Sequence, residues 1–148
     1  MNYLFAGEAI KRQLMVAVPE FKEVLLAGEL AKINRAAQKS PSAYVIYEGD
    51  VINSSVQAHG TLGKTQYITQ RWTVAIVVHL ADKRSLNSAD NFAGELMTRT
   101  LQALSGFIIN ERTKPLTRAT VSRKAEYIDG WGYYPYVFNV EFIMPRAK

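Results

Sequence analysis

Residues 65–80 read Thr65-Gln66-Tyr67-Ile68-Thr69-Gln70-Arg71-Trp72-Thr73-Val74-Ala75-Ile76-Val77-Val78-His79-Leu80. Trp72, Val74, Ile76, Val78 and Leu80 recur at every second position and fill one face of an extended chain, since successive strand side chains point to opposite sides. Ala75 and Val77 make the other face partly apolar too. A strand that is apolar on both faces belongs where both are covered, so this stretch is expected at the centre of a sheet.

Working outward, residues 134–144 carry the cleanest period of two in the chain, with Tyr134, Tyr136, Phe138, Val140, Phe142 and Met144 on one face and Asn139 and Glu141 on the other. Ala43-Tyr44-Val45-Ile46-Tyr47, after the breaker Ser40-Pro41-Ser42, predicts a further two-sided strand, closed by Glu48-Gly49-Asp50. Residues 21–26 predict a short strand. From Val51 a marginal strand leads into a long loop ending near Gly63. Residues 118–127 alternate in part and predict a strand whose exposed face is basic through Arg118, Arg123 and Lys124, and Asp129-Gly130-Trp131-Gly132 predicts a turn.

The helices show the other period. Phe5, Ile10, Leu14, Ala17 and Val18 lie at spacings near three and four within residues 4–18, and Pro19 should end that helix. Residues 28–37 hold helix formers without a strong apolar face. After the charged turn Asp82-Lys83-Arg84, Asn87 or Ser88 can cap a helix with Asp90 in its first turn. Its stripe is Phe92, Leu96, Met97, Thr100, Leu101 and Leu104, and Gly106 is its natural stop. The order is helix, short strand, short helix, two or three strands, long helix, two strands. That order predicts an α+β fold: a mostly antiparallel sheet with the N-terminal helix and the long helix packed on one face. No repeat, linker or low-complexity segment divides it, so residues 1–148 are expected to form a single domain.

A domain of 148 residues buries about 68–70% of its unfolded surface, enough to fold without a staple. There is no cysteine, which removes disulfides, thiolate metal sites and cysteine nucleophiles. The first residues lack a basic region followed by an apolar core, and the apolar runs fall short of the ~20 residues that span a bilayer, so neither a secretion signal nor a membrane span is expected. The formal net charge of +5 suits an acidic partner or plain solubility. No interleaving of aromatic and basic residues points to nucleic acid.

Catalytic patterns are missing. The histidines, His59 and His79, sit in different elements without ligand spacing, so no metal is expected. There is no Gly-x-Ser-x-Gly elbow. Gly60-Thr61-Leu62-Gly63-Lys64-Thr65 has the tail of a phosphate loop, but Ala58 stands where the first glycine is needed and no helix follows. Glu48, Asp50, Asp82 and Asp90 each have a plainer role at a turn or helix start than in acid–base chemistry. No enzyme activity and no cofactor are expected.

Two features fit protein contacts. Arg112, Lys114, Arg118, Arg123 and Lys124 form the densest run of charge, a solvated face or an interface with an acidic neighbour. Trp131 and Tyr133 lie in a glycine-flanked turn, where large aromatics often anchor interfaces. Arg112, Lys114, Arg118, Trp131 and Tyr133 are therefore the candidate interface residues.

Taken together, Ser40-Pro41-Ser42-Ala43-Tyr44-Val45-Ile46-Tyr47, Gln70-Arg71-Trp72-Thr73-Val74-Ala75-Ile76-Val77-Val78, Leu104-Ser105-Gly106-Phe107 and Phe138-Asn139-Val140-Glu141-Phe142, behind an N-terminal amphipathic helix, resemble the tail terminator proteins of long-tailed bacteriophages. The resemblance runs over nearly the full length, with Gln70-Arg71-Trp72 its most distinctive string. It implies a virion protein, assembled in the host cytoplasm, that forms a ring of six at the head-proximal end of a finished tail tube. Such a ring stops tube growth and offers a surface to the head connector. Its partners would be itself, the tail tube protein and the connector or neck protein. It also implies loops that stay mobile until docking, here 51–64, 107–117 and 127–133. A connector or neck protein of the same virion is the rival reading, followed by a nucleic-acid-binding module.

Overall fold

A computed structural model of the chain describes residues 2–30, 38–53, 65–80, 86–121 and 123–145. Helix α1 spans Phe5–Ala17, where the four-residue spacing of Ala6, Ile10 and Leu14 gives one fully buried stripe. Strand β1 (Glu23–Leu26) runs into the one-turn helix α2 (Ala27–Leu30). The remainder of the helix expected over 28–37 lies outside the described residues. Strands β2 (Ser42–Ile52) and β3 (Thr65–His79) precede the long helix α3 (Leu86–Leu104). The short strands β4 (Thr117–Arg118) and β5 (Glu126–Ile128) lead to β6 (Trp131–Pro145). Most of the 51–64 segment, His59 and the turn at 82–84 lie outside the described residues.

The sheet has six strands in the order β1-β2-β3-β6-β4, with β5 also on β6. β1 runs parallel to β2, and the other pairs are antiparallel. The fold is α+β with a mostly antiparallel sheet, as the periodicities require, and β3 lies at its centre. β3 and β6 are each 15 residues long and pair throughout, a ribbon of about 50 Å at ~3.3 Å per residue. β2 does not close at Glu48-Gly49-Asp50. The register shifts between Tyr47 and Gly49, and the strand continues to Ile52. Gly49 has φ 111°, a conformation that side chains resist, so a glycine lets the bulge form without ending the strand.

The helices lie on one face. Trp72, Val74, Ile76 and Val78 of β3 and Tyr134, Phe138, Val140 and Phe142 of β6 form one buried core with Ile10 and Leu14 of α1 and Leu96 and Leu104 of α3. α1 approaches closely through Gly7, where a Cβ would stand 2.9 Å from the Trp72 ring. Gln70 is fully buried here. Its amide donates to the Tyr3 carbonyl at 2.7 Å and accepts from the Trp72 indole at 2.9 Å. Both halves of the amide are thereby satisfied, as burial demands. The Tyr3 hydroxyl donates to Asp50, so the N-terminal segment is tied to β2 and β3 together.

The segment 118–127 departs from the expected strand. Only its ends pair with β6, and the arm takes eight residues from Arg118 to Glu126 where β6 takes five from Phe138 to Tyr133. Pro135 explains the departure. Val137 accepts from Ala119 N–H, so by the two-residue repeat Pro135 also faces this edge, and proline has no N–H to offer a partner strand. Two segments expected as loops are pinned. Residues 107–117 are held by Leu116 N–H donating to the Phe107 carbonyl at 2.9 Å and by Lys114 N–H donating to the Glu141 carbonyl at 2.9 Å. Residues 127–133 form a tight hairpin, with Ile128 opposite Trp131 and Asp129 and Gly130 at φ 51° and 82°, the geometry an Asp-Gly pair supplies.

Candidate functional site

The second face of the sheet is built by the alternate residues of the same strands. Reading across β2, β3 and β6, the rows are Tyr44, Ala75 and Pro135, then Ile46, Thr73 and Val137, then Gly49, Arg71 and Asn139, then Val51, Thr69 and Glu141. Tyr44, Ala75 and Val77 are its buried centre, and among the described residues the hydrophobic side chains packed around them are the strand residues Leu25, Ile46, Trp131 and Tyr133. None of the described helices takes part. Val51 and Ile143 are each nearly half exposed at its far end.

The arm forms a wall beside this face. Between arm and sheet is a groove of ≈ 520 Å³ with Ile46, Ala75, Pro135 and Ile128 as its apolar lining and Arg123, Lys124 and Glu126 on the arm side. Arg123 reaches back to Glu48 at 3.0 Å, and Glu48 also accepts from the Thr73 hydroxyl at 2.9 Å. The bulge puts Glu48 within reach of both.

One row further along, Arg71 stands directly opposite Asn139. Its neighbours Gln70 and Trp72 turn into the core, so Arg71 projects from the other face. Its Nε and the Asn139 Oδ1 are both buried without a hydrogen-bond partner among the described residues. Such atoms are uncommon in folded proteins because each forfeits its hydration. Beside them Gly49 contributes no side chain, and nothing lies within 4 Å of where its Cβ would be. Nearer the β1 edge, Glu23 Oε1 is likewise buried without a partner among the described residues, and burial, partly offset by the neighbouring Ser42 and Gln38 side chains, pushes the Tyr44 hydroxyl's pKa up.

The structure scatters the sequence candidates. Arg112 and Lys114 are exposed and line a smaller concavity of ≈ 250 Å³ with Glu111, Glu141 and Ile143. Arg118 lies at the β6 edge with its guanidinium 4.9 Å over the Tyr136 ring, on the side of the helices. Trp131 and Tyr133 are strand residues on the second face, not turn residues. Trp131 packs on His79 with ring centroids 4.8 Å apart, and the Tyr133 hydroxyl donates to Gln38 at 3.2 Å. Arg71, Asn139 and Glu48 were missed. The legible signal was Arg71 between two residues of the core face.

Among the described residues no three His, Asp or Glu side chains gather as a metal would require, and no helix is long and apolar enough to cross a membrane. Comparison with known proteins adds the family. No curated protein sequence matches the chain. A chain from the solved virion of a native gene transfer agent (GTA) particle shares the fold at 15% identity, with 97% of this chain and 100% of that one covered and a TM-score of 0.54. The family model for phage tail terminator protein matches residues 1–148. The chain therefore belongs to the phage tail terminator protein family, structural components of the virion tail.

Proposed function

We propose that residues 1–148 act as one domain that caps the end of a phage tail tube, stops its polymerisation and presents a surface to the head connector. The observation that carries this reading is the two-sided sheet. One face is closed by α1 and α3, while no described helix covers the other, whose apolar residues Val51 and Ile143 stand nearly half exposed at its far end. A capping subunit needs no reaction, only two or more such surfaces and a contact that closes by rotation into a ring, for which six members is our reading. Each specific contact needs about 1,000 Å² or more. Arg112 and Lys114, exposed at one end of the sheet, suit an acidic neighbour, and the second face supplies the apolar contact in which Trp131 and Tyr133 sit. In the assembled particle this ring lies at the head-proximal end of the tail.

The test is light scattering of the purified chain over a range of concentrations, alone and with cognate tail tubes, while tube lengths are counted by microscopy. Binding to tube ends with arrested growth is expected. Binding to connector rings and not to tubes moves the assignment to a connector or neck protein. Binding to DNA that weakens steeply with salt moves it to nucleic acid.

A further inference from the structure

We infer that the arm between Arg118 and Glu126 is a strap over the second face of the sheet, latched by the Arg123–Glu48 ion pair and opened when that pair is released. Its two ends are fixed on β6, Arg118 opposite Phe138 and Glu126 opposite Tyr133. Between them it leaves the edge and reaches inward. Arg123 meets Glu48 of β2 at 3.0 Å, and β2 lies two strands from β6 in the sheet, a span of about 10 Å. The same Glu48 accepts from the Thr73 hydroxyl, so the latch closes above β3. The arm is thus the described segment that lies across the row of Thr73 and Ala75, both buried with no described helix over them.

Little else holds the strap down. None of its described residues is buried: Thr120, Val121, Arg123 and Lys124 are exposed, and Ala119 and Ala125 are half-buried. Ala125 packs against the helix-side core through a single methyl group. Ala119 N–H donates to the Val137 carbonyl at 2.8 Å, and Pro135 has no N–H with which β6 could extend that pairing. Among the described residues no backbone hydrogen bond joins 120–125 to the sheet. A groove of ≈ 520 Å³ remains beneath the strap, so closure gains little packing. The latch is itself partly exposed, with the Arg123 and Glu48 side chains at 46% and 27%, and such a pair is weak and screened by salt. Segments with so few buried contacts open at low free-energy cost. Opening frees Ile46 and Pro135, half-buried in the groove, so this part of the second face is uncovered by a local motion and not by unfolding.

Amide exchange of the free chain, read residue by residue by NMR, tests the strap without tail tubes, so its outcome is separate from that of the capping role. Ala119 N–H reports the root of the strap. Lys114 N–H, bonded to the Glu141 carbonyl, is the reference, and the ratio of the two rates removes any change in global stability. Raising salt from about 0.1 M to about 1 M, which shortens the screening length from roughly 10 Å to roughly 3 Å, is expected to speed Ala119 relative to Lys114 by roughly two- to fivefold. Glu48→Gln keeps an oxygen for the Thr73 hydroxyl but loses the charge. It is expected to give the same acceleration at low salt and to abolish the salt response. Adding Arg123→Gln should change nothing more, since both substitutions break one contact. An Ala119 rate that keeps a constant ratio to Lys114 at every salt concentration overturns the inference. A salt response that survives in Glu48→Gln, or a further acceleration in the double variant, overturns it too, by removing the ion pair as the latch.

Discussion

The two faces of one sheet have been solved by different means. On the helix face, large side chains such as Phe138 and Ile76 are sealed by α1 and α3, and the buried Gln70 amide has both halves occupied. On the second face Tyr44, Thr73, Ala75, Val77 and Val137 are buried with no described helix over them, Ile46 is only partly covered, and polar atoms of Arg71 and Asn139 have no hydrogen-bond partner among the described residues. A face finished internally carries stability. The helix face is not free of such groups, since the fully buried Thr100 hydroxyl of α3 is also without a hydrogen-bond partner among the described residues, so the two faces differ in what covers them and not in whether every polar group is paired.

Substitutions at matched depth on the two faces test that division. Phe138→Ala, at a fully buried position, should cost about 3–5 kcal/mol in a denaturant titration. A loss below about 1.5 kcal/mol would mean the helix face is not the main core. Gly7→Ala should also destabilise, since the new Cβ meets the Trp72 ring at 2.9 Å. Overpacking of about 1–3 kcal/mol opposes the gain of about 1 kcal/mol from alanine's helix propensity. A thermal midpoint raised by this change would show that α1 can ride up from the sheet.

On the second face Ile46→Thr should cost about 1 kcal/mol or less, because the side chain is only partly covered in the free chain. The same variant should bind tail tubes measurably more weakly. Unchanged binding beside a large stability loss would reverse the roles of the two faces.

The smallest effect concerns the seam where the N-terminal segment meets the strands. Burial first, then the Asp50 carboxylate, raises the Tyr3 pKa above the ordinary tyrosine value. The neutral hydroxyl is the form favoured by folding, so its contribution is complete below about pH 10 and is lost as pH rises through the raised value. Tyr3→Phe should therefore flatten the alkaline decline of stability followed by urea titration. Identical slopes in the two proteins would assign that decline to other groups, among them Tyr44 and Tyr47, whose pKa values are also raised.

What could be read in the chain order was whatever depends on local period. The two-residue repeat of 65–80 and 134–144 set strand type and core face, and the three-and-four spacing around Leu14 and Leu96 set the helices. Both follow from backbone geometry that any extended or helical segment must obey. The fate of residues 118–127 was not legible, because a partial alternation looks the same whether or not a partner strand can accept it. Pro135, seventeen positions beyond Arg118, decides that from across the sheet. The candidate surface divided in the same way. Trp131 and Tyr133 belong to it, while Arg118 lies on the helix side over Tyr136.

Sequence alone determined the α+β class, the central strand and, through resemblance, a family that the full-length match bears out. Tertiary structure decided which residues finish the second face. Arg71 sits in the most distinctive string of the chain, yet its meaning depends on the register that sets it against Asn139 and on the bulge that leaves Gly49 beside it. Register is a relation between segments far apart in the chain, fixed by burial of the opposite face, and no local pattern contains it.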